Sequence, residues 1–171
     1  SVPTMFTVGG TVTGLKGTLK LKNNGGDELT VTKDGKFTFM TALGDQALYV
    51  VKITAEPALL RCTLANDVGK IAKADVTNVT VTCLDQLLFA AADGGNGNEL
   101  WKCDGTPGGT ALLANLNSGG ASSFPGGFTA LGDGRVFFAA NDGTNGRELW
   151  ITDGTAAGTK LVKDISPGGN S

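Results

Sequence analysis

Arg147-Glu-Leu-Trp-Ile-Thr-Asp-Gly-Thr155 has an earlier copy in the same chain, Asn98-Glu-Leu-Trp-Lys-Cys-Asp-Gly-Thr106. The copies start about 49 residues apart, and a fixed period of that size marks a repeat architecture. The likeness extends outward from the motif. Phe89-Ala-Ala-Ala-Asp-Gly94 aligns with Phe138-Ala-Ala-Asn-Asp-Gly143, and Gly109-Thr110-Ala-Leu112 with Gly158-Thr159-Lys-Leu161. Gly119-Gly120 aligns with Gly168-Gly169, and Ser122 with Ser171. Roughly half of the aligned positions are identical, far above chance for a repeat of this length.

One repeat reads as four strands. Phe128–Leu131 is the first, ended by the Gly132-Asp-Gly134 turn, and Arg135–Ala140 is the second. Asp142-Gly-Thr-Asn-Gly146 turns the chain into Arg147–Thr152, and Asp153–Gly158 turns it into Thr159–Ile165. Four antiparallel strands in 40 to 50 residues is the plan of a β-propeller blade. The chain carries the last three strands twice but the first strand once. Propellers close with four to eight blades, so two incomplete blades leave an unpaired edge. The expectation is a fragment of a longer protein, with sheets completed between several chains as the alternative.

Composition agrees with an all-β chain. Of 171 residues 27 are Gly, and 18% are charged, with net charge −2. Gly and Asn serve turns, and Val and Thr suit pleated strands. No basic stripe could neutralise a phosphate backbone, which argues against nucleic acid as a partner. No apolar run is long enough to span a bilayer as a helix. Ser1-Val-Pro-Thr4 has neither the basic nor the apolar region of a signal peptide, which says nothing of the compartment of a trimmed chain. Histidine is absent, which removes the commonest general base and transition-metal ligand.

Residues 1–84 read as a separate unit, joined to residues 85–171 by the very short Leu84-Asp-Gln86. Phe6–Val8, Thr18–Lys22, Leu29–Thr32, Phe37–Phe39, Ala47–Thr54, Leu60–Leu64 and Val76–Cys83 are the strand candidates. Gly9-Gly10 is expected to interrupt the first, Asn23–Gly26 and Asn66–Gly69 to be turns, and Asp34-Gly35 to close a hairpin. Seven short strands in about 80 residues suggest a small antiparallel β-sandwich. Cys62 and Cys83 fall on its last two long strands. Paired, they would close a loop of roughly 20 residues, worth about 3 kcal/mol in the chain-entropy model. Unpaired, they would be two buried thiols. Cys103 is left over.

Two resemblances follow. Phe6–Leu15, Asn23–Asp27, Phe37–Phe39 and Val79–Cys83 resemble a small Ig-like module of large secreted bacterial proteins. Glu-Leu-Trp-x-x-Asp-Gly-Thr, followed by Gly-Thr, resembles the ELWxxDGT repeat of secreted and surface bacterial proteins. Its two copies cover essentially all of residues 87–171. The resemblance implies propeller-like β structure in long arrays, often beside Ig-like modules, outside the cell or on its surface. It implies no chemistry. The expected fold is therefore an Ig-like sandwich followed by about two incomplete propeller-like blades.

Each candidate site has a scaffold reading beside it. Trp101 and Trp150 could be stacking platforms for sugars, but recurrence at one blade position favours packing. Glu99 and Glu148, with Asp93 and Asp142, could be paired carboxylates. An active site normally breaks symmetry, and these acids repeat, so no catalytic residues are expected. Asp93–Glu99 and Asp142–Glu148 offer oxygen ligands for Ca²⁺, yet neither has the spacing of a calcium loop, and Asn-Gly is a hairpin-turn signal. Asp104-Gly105 and Asp153-Gly154 read as turns. No cofactor or metal is therefore expected. Cys103 stands where the second copy has Thr152, as a free thiol or an intermolecular disulfide. Lys102 replaces Ile151, hinting at one solvated face on the first blade. Asn78-Val-Thr80 matches a glycosylation sequon that arises often by chance. The expectation is a non-enzymatic structural or adhesive module that self-assembles through strand edges. Its partners would be further repeats of a parent chain, other copies of itself, or a surface protein or glycan. The alternative is a propeller fragment that binds a carbohydrate or protein ligand.

Overall fold

The computed structural model describes residues 3–167. Gly168, Gly169 and Ser171, which extend the repeat alignment, lie outside the described residues. Every regular element among those described is a β-strand. The chain divides into two compact units, Ser1–Leu84 and Asp85–Ser171.

The first unit holds β1 (Met5–Phe6), β2 (Val8–Thr13), β3 (Leu19–Asn23), β4 (Asp27–Val31) and β5 (Gly35–Thr38). It continues with β6 (Leu43–Gly44), β7 (Leu48–Ala55), β8 (Leu60–Ala65), β9 (Val68–Lys70) and β10 (Val76–Asp85). Two four-stranded sheets form, in the orders β5-β2-β10-β8 and β4-β3-β7-β9, with β1 and β6 as a small extra pair. Period-two patterning aims one face of each sheet inward. On β10, Val79, Val81 and Cys83 are buried while Thr80 and Thr82 are exposed. Val8, Val12, Phe37, Leu60, Val79 and Val81 from one sheet share a core with Leu19, Leu21, Tyr49 and Val51 from the other. Phe37 and Phe39 meet edge to face, with ring centroids 5.8 Å apart. Cys62 on β8 is disulfide-bonded to Cys83 on the neighbouring β10.

Four details of this unit depart from expectation. Gly9 and Gly10 continue β2 rather than break it. A Cβ on Gly10 would strike the backbone carbonyl of Val79, and one on Gly9 that of Phe37, so close backbone approach is what requires glycine. Asp34-Gly35 closes no hairpin, because β4 and β5 lie in different sheets. The Asp34 carboxylate instead accepts hydrogen bonds from the N–H groups of Gly14 (2.9 Å) and Leu15 (2.7 Å). Asn66–Gly69 is only partly a turn, since β9 starts at Val68 and pairs with β7. Finally, the sheets are not wholly antiparallel: β2 and β10 run parallel. These strands come from opposite ends of the unit, so no hairpin fixes their relative direction.

The second unit holds β11 (Leu87–Ala92), β12 (Asn98–Cys103), β13 (Ala111–Ala114), β14 (Gly126–Ala130), β15 (Val136–Asn141), β16 (Arg147–Thr152) and β17 (Lys160–Lys163). They form two sheets of antiparallel neighbours, β11-β12-β13 and β14-β15-β16-β17. The registers repeat. Phe89 lies opposite Trp101 as Phe138 lies opposite Trp150, and both central strands shift register just before the tryptophan. The sheet of the first copy lacks the strand that β14 supplies to the second.

Candidate functional site

The repeated motif is the natural place to look for chemistry, and its Glu, Asp and Thr side chains are engaged inside their own repeat. In the first copy, Asp104 Oδ1 accepts hydrogen bonds from the N–H (3.0 Å) and hydroxyl (2.7 Å) of Thr106. Thr106 Oγ1 accepts from the N–H of Gly109 at 3.0 Å. A Cβ on Gly109 would collide with the Asp104 carboxylate. The second copy repeats this at Asp153, Thr155 and Gly158, with distances of 2.9, 2.7 and 2.9 Å. Asp-Gly-Thr-x-x-Gly is thus a self-capped turn whose residue types follow from its own hydrogen bonds. The Thr155 hydroxyl is the main reason the Asp153 carboxyl lies below the ordinary aspartate range.

The residue before each turn completes it. The Thr152 hydroxyl accepts from the N–H of Gly154 (3.0 Å) and shares a hydrogen bond with Thr159 (2.7 Å). In the first copy Cys103 takes that place. Its Sγ accepts from the Gly105 N–H at 3.1 Å and the Thr110 hydroxyl at 3.0 Å. Cys103 is a free, half-buried thiol standing in for a threonine hydroxyl.

The motif glutamates are buried: Glu99 is 0% exposed and Glu148 4%. Glu99 accepts from the N–H of Leu116 (2.7 Å), the N–H of Ser123 (2.9 Å) and the Ser123 hydroxyl (2.6 Å). Glu148 accepts from the N–H groups of Ile165 (3.0 Å) and Ser166 (3.2 Å). Each therefore pins the loop that leaves its repeat. Ser122 and Ser123 escaped the sequence reading as partners. Ser122 also accepts from the Asn98 N–H at 2.9 Å.

The calcium-like loops are closed the same way. Asp93 accepts from the N–H groups of Gly95 and Asn96 (2.9 Å each) and from the Asn96 side-chain amide (2.6 Å). These bonds, that from Gly95 foremost, hold its carboxyl below the usual range. Asp142 repeats the arrangement with Thr144 and Asn145. There burial pushes the carboxyl up, and the Asn145 and Thr144 hydrogen bonds outweigh it to leave the net shift downward. No group of three metal-ligating side chains comes together among the described residues. Glu99 and Asp93 serve different loops, so the candidate carboxylates do not converge on one cleft.

Trp150 is 8% exposed and packs on Phe138, with ring centroids 6.5 Å apart, while Phe128 packs on Phe138 at 5.7 Å. Trp101 is half-buried. Both indole N–H groups are buried without a hydrogen-bond partner. In the first unit an open recess of about 420 Å³ is lined by Asn23, Asp27, Glu28 and Thr41. Its acids are already engaged: Asp27 accepts from the Thr41 N–H at 2.6 Å, and Glu28 pairs with Lys20 and Lys22.

Comparison of the chain with protein-family models, curated proteins and solved structures finds no match. No helix among the described residues is long and apolar enough to cross a membrane.

Proposed function

We propose that the chain is a non-enzymatic structural or adhesive module of an exported bacterial surface or extracellular protein. In this reading an Ig-like β-sandwich precedes a run of propeller-like ELWxxDGT repeats. One observation carries it: both copies of the motif use Glu, Asp, Thr and Gly in the same internal hydrogen bonds. Groups bound that way give the repeat its shape and occupy the motif acids with backbone and side-chain donors. The Cys62–Cys83 disulfide supports an oxidising compartment. Affinity would come from repeated surfaces, offered to further repeats, to other copies of the chain, or to a surface protein or glycan.

A second reading, a carbohydrate- or protein-binding propeller fragment, is favoured by the half-exposed Trp101 alone. Its recurrence as the buried Trp150 fits packing better. The test is to immobilise the full chain over a panel of glycans and matrix proteins, and to assay the same panel for turnover. The proposal expects retention without product. Release of product from any member would overturn it.

A further inference from the structure

The sequence holds three Asn-Gly steps, Asn24-Gly25, Asn96-Gly97 and Asn145-Gly146. Such a step is where an asparagine is chemically weakest, because glycine sets no Cβ beside the nitrogen that can attack the neighbouring amide. In a folded chain the attack is restrained by whatever holds the carboxamide in place. The Asn24 amide is held at both ends: Nδ2 donates to the Leu48 carbonyl at 3.0 Å, and Oδ1 accepts from the Val50 N–H at 2.9 Å. So is the amide of Asn96. Its Nδ2 donates to Asp93 Oδ2 at 2.6 Å, and its Oδ1 accepts from Asn115 Nδ2 at 2.9 Å. The Asp93 carboxylate only accepts, so that contact fixes which end of the Asn96 amide is the oxygen.

Asn145 is the counterpart of Asn96, and its Nδ2 donates to Asp142 Oδ2 at the same 2.6 Å. The counterpart of Asn115, however, is Asp164. A carboxylate has no N–H to offer an amide oxygen. Asp164 Oδ1 is buried without a hydrogen-bond partner, and no donor among the described residues reaches Asn145 Oδ1.

We propose that Asn145 is a site of spontaneous modification, where the chain converts its own asparagine to aspartate and isoaspartate. The Gly146 nitrogen gives its proton to a solvent base and attacks Asn145 Cγ. The Cγ–Nδ2 bond breaks, and that nitrogen leaves as ammonia with a proton from water. One water molecule then opens the succinimide ring. Opening at the side-chain carbonyl gives aspartate, and opening at the main-chain carbonyl gives isoaspartate. Gly146 is itself buried, so the base meets its nitrogen when the turn opens, and a turn with one clamp fewer opens more often. Turning the carboxamide toward the glycine breaks two hydrogen bonds at Asn24 and Asn96 but one at Asn145, and a bond of ordinary strength is worth roughly five-fold in rate. Either product loses the Nδ2–H that Asp142 now accepts from and sets a second negative charge beside it. The change falls in the turn between β15 and β16, which leads into the motif strand.

The test keeps the full chain folded at mildly alkaline pH, without reductant, and follows each Asn-Gly step by peptide mass mapping and isoaspartate labelling. Asn145 should convert first, about five-fold ahead of Asn96, with Asn24 no faster than Asn96. Two reciprocal variants read the clamp directly. Asp164→Asn should bring Asn145 down to the Asn96 rate, and Asn115→Asp should bring Asn96 up to the Asn145 rate, each with the tryptophan fluorescence of the folded chain retained. In denaturant the three steps should converge. Equal rates at Asn96 and Asn145 in the folded chain would overturn the proposal, and so would an Asn145 rate that ignores Asp164→Asn. A preference for Asn145 that persists in denaturant would place its cause in the neighbouring sequence rather than the clamp, and would overturn it as well.

Discussion

The two units are held together by different means. The first closes on itself: two sheets share one apolar core, and a disulfide ties adjacent strands. The second is held by side chains reaching backbone groups, with aromatic packing within a sheet. A closed core makes a unit sensitive to lost volume, whereas a hydrogen-bonded turn system makes one sensitive to lost acceptors. The chain carries a probe for each. Its only tyrosine, Tyr49, is in the first unit, and both tryptophans are in the second.

The comparison breaks most visibly at Phe39, which is 1% exposed. Phe39→Ala should cost about 3–5 kcal/mol in the transition followed by the tyrosine signal, and leave the tryptophan transition in place. Opening the Cys62–Cys83 bond by Cys62→Ala with Cys83→Ala should cost about 3 kcal/mol, again in the tyrosine transition only. Movement of both transitions together would show that the units unfold as one.

The reverse experiment removes an acceptor from the second unit. Glu99→Ala strands the Leu116 N–H and leaves the Ser123 N–H and hydroxyl only the Asn98 carbonyl, and should cost about 1–3 kcal/mol in the tryptophan transition. Glu148→Ala should cost less, because its two donors belong to exposed residues. Thr155→Val, which removes the hydroxyl shared by Asp153 and Gly158, should cost about 1 kcal/mol.

Acid should sharpen the contrast by a smaller amount. Asp93, Asp142 and Asp153 have carboxyls depressed in the folded chain. A depressed carboxyl contributes stability that is present above its unfolded value, about 3.9, and is lost as pH falls through its folded value. The tryptophan transition should therefore begin to weaken near pH 4 and keep weakening below it, as thermal melts across pH 2–6 would record.

How far the sequence disclosed this molecule depends on what each residue responds to. The strands of the second unit lie where the repeat places them, because turn chemistry and period two are local. Asp34-Gly35 misled for the same reason: a turn signal does not say whether its strands pair with each other, and these go to different sheets. Gly10 is explained only by Val79, far along the chain, so nothing near it could distinguish a strand from a break. At the candidate site, recurrence marked Glu99 and Glu148 as equivalent positions. It did not identify their donors, since Leu116 and Ser123 come from a loop with no pattern of its own. Cys103 looked like an odd thiol, and only its partners give it the role of Thr152.

The central claim is that the motif acids shape the repeat. Hydrogen exchange, resolved amide by amide, tests it most directly at Leu116 and Ser123. Neither belongs to a strand, yet both donate to Glu99. The account predicts that both amides are protected like strand amides in the native chain and that Leu116 becomes fast in Glu99→Ala, with Ser123 slowed still by its second acceptor, the Asn98 carbonyl, while β11 and β12 stay protected. Fast exchange at both positions in the unaltered chain would contradict it, since Glu99 would then not be holding that loop.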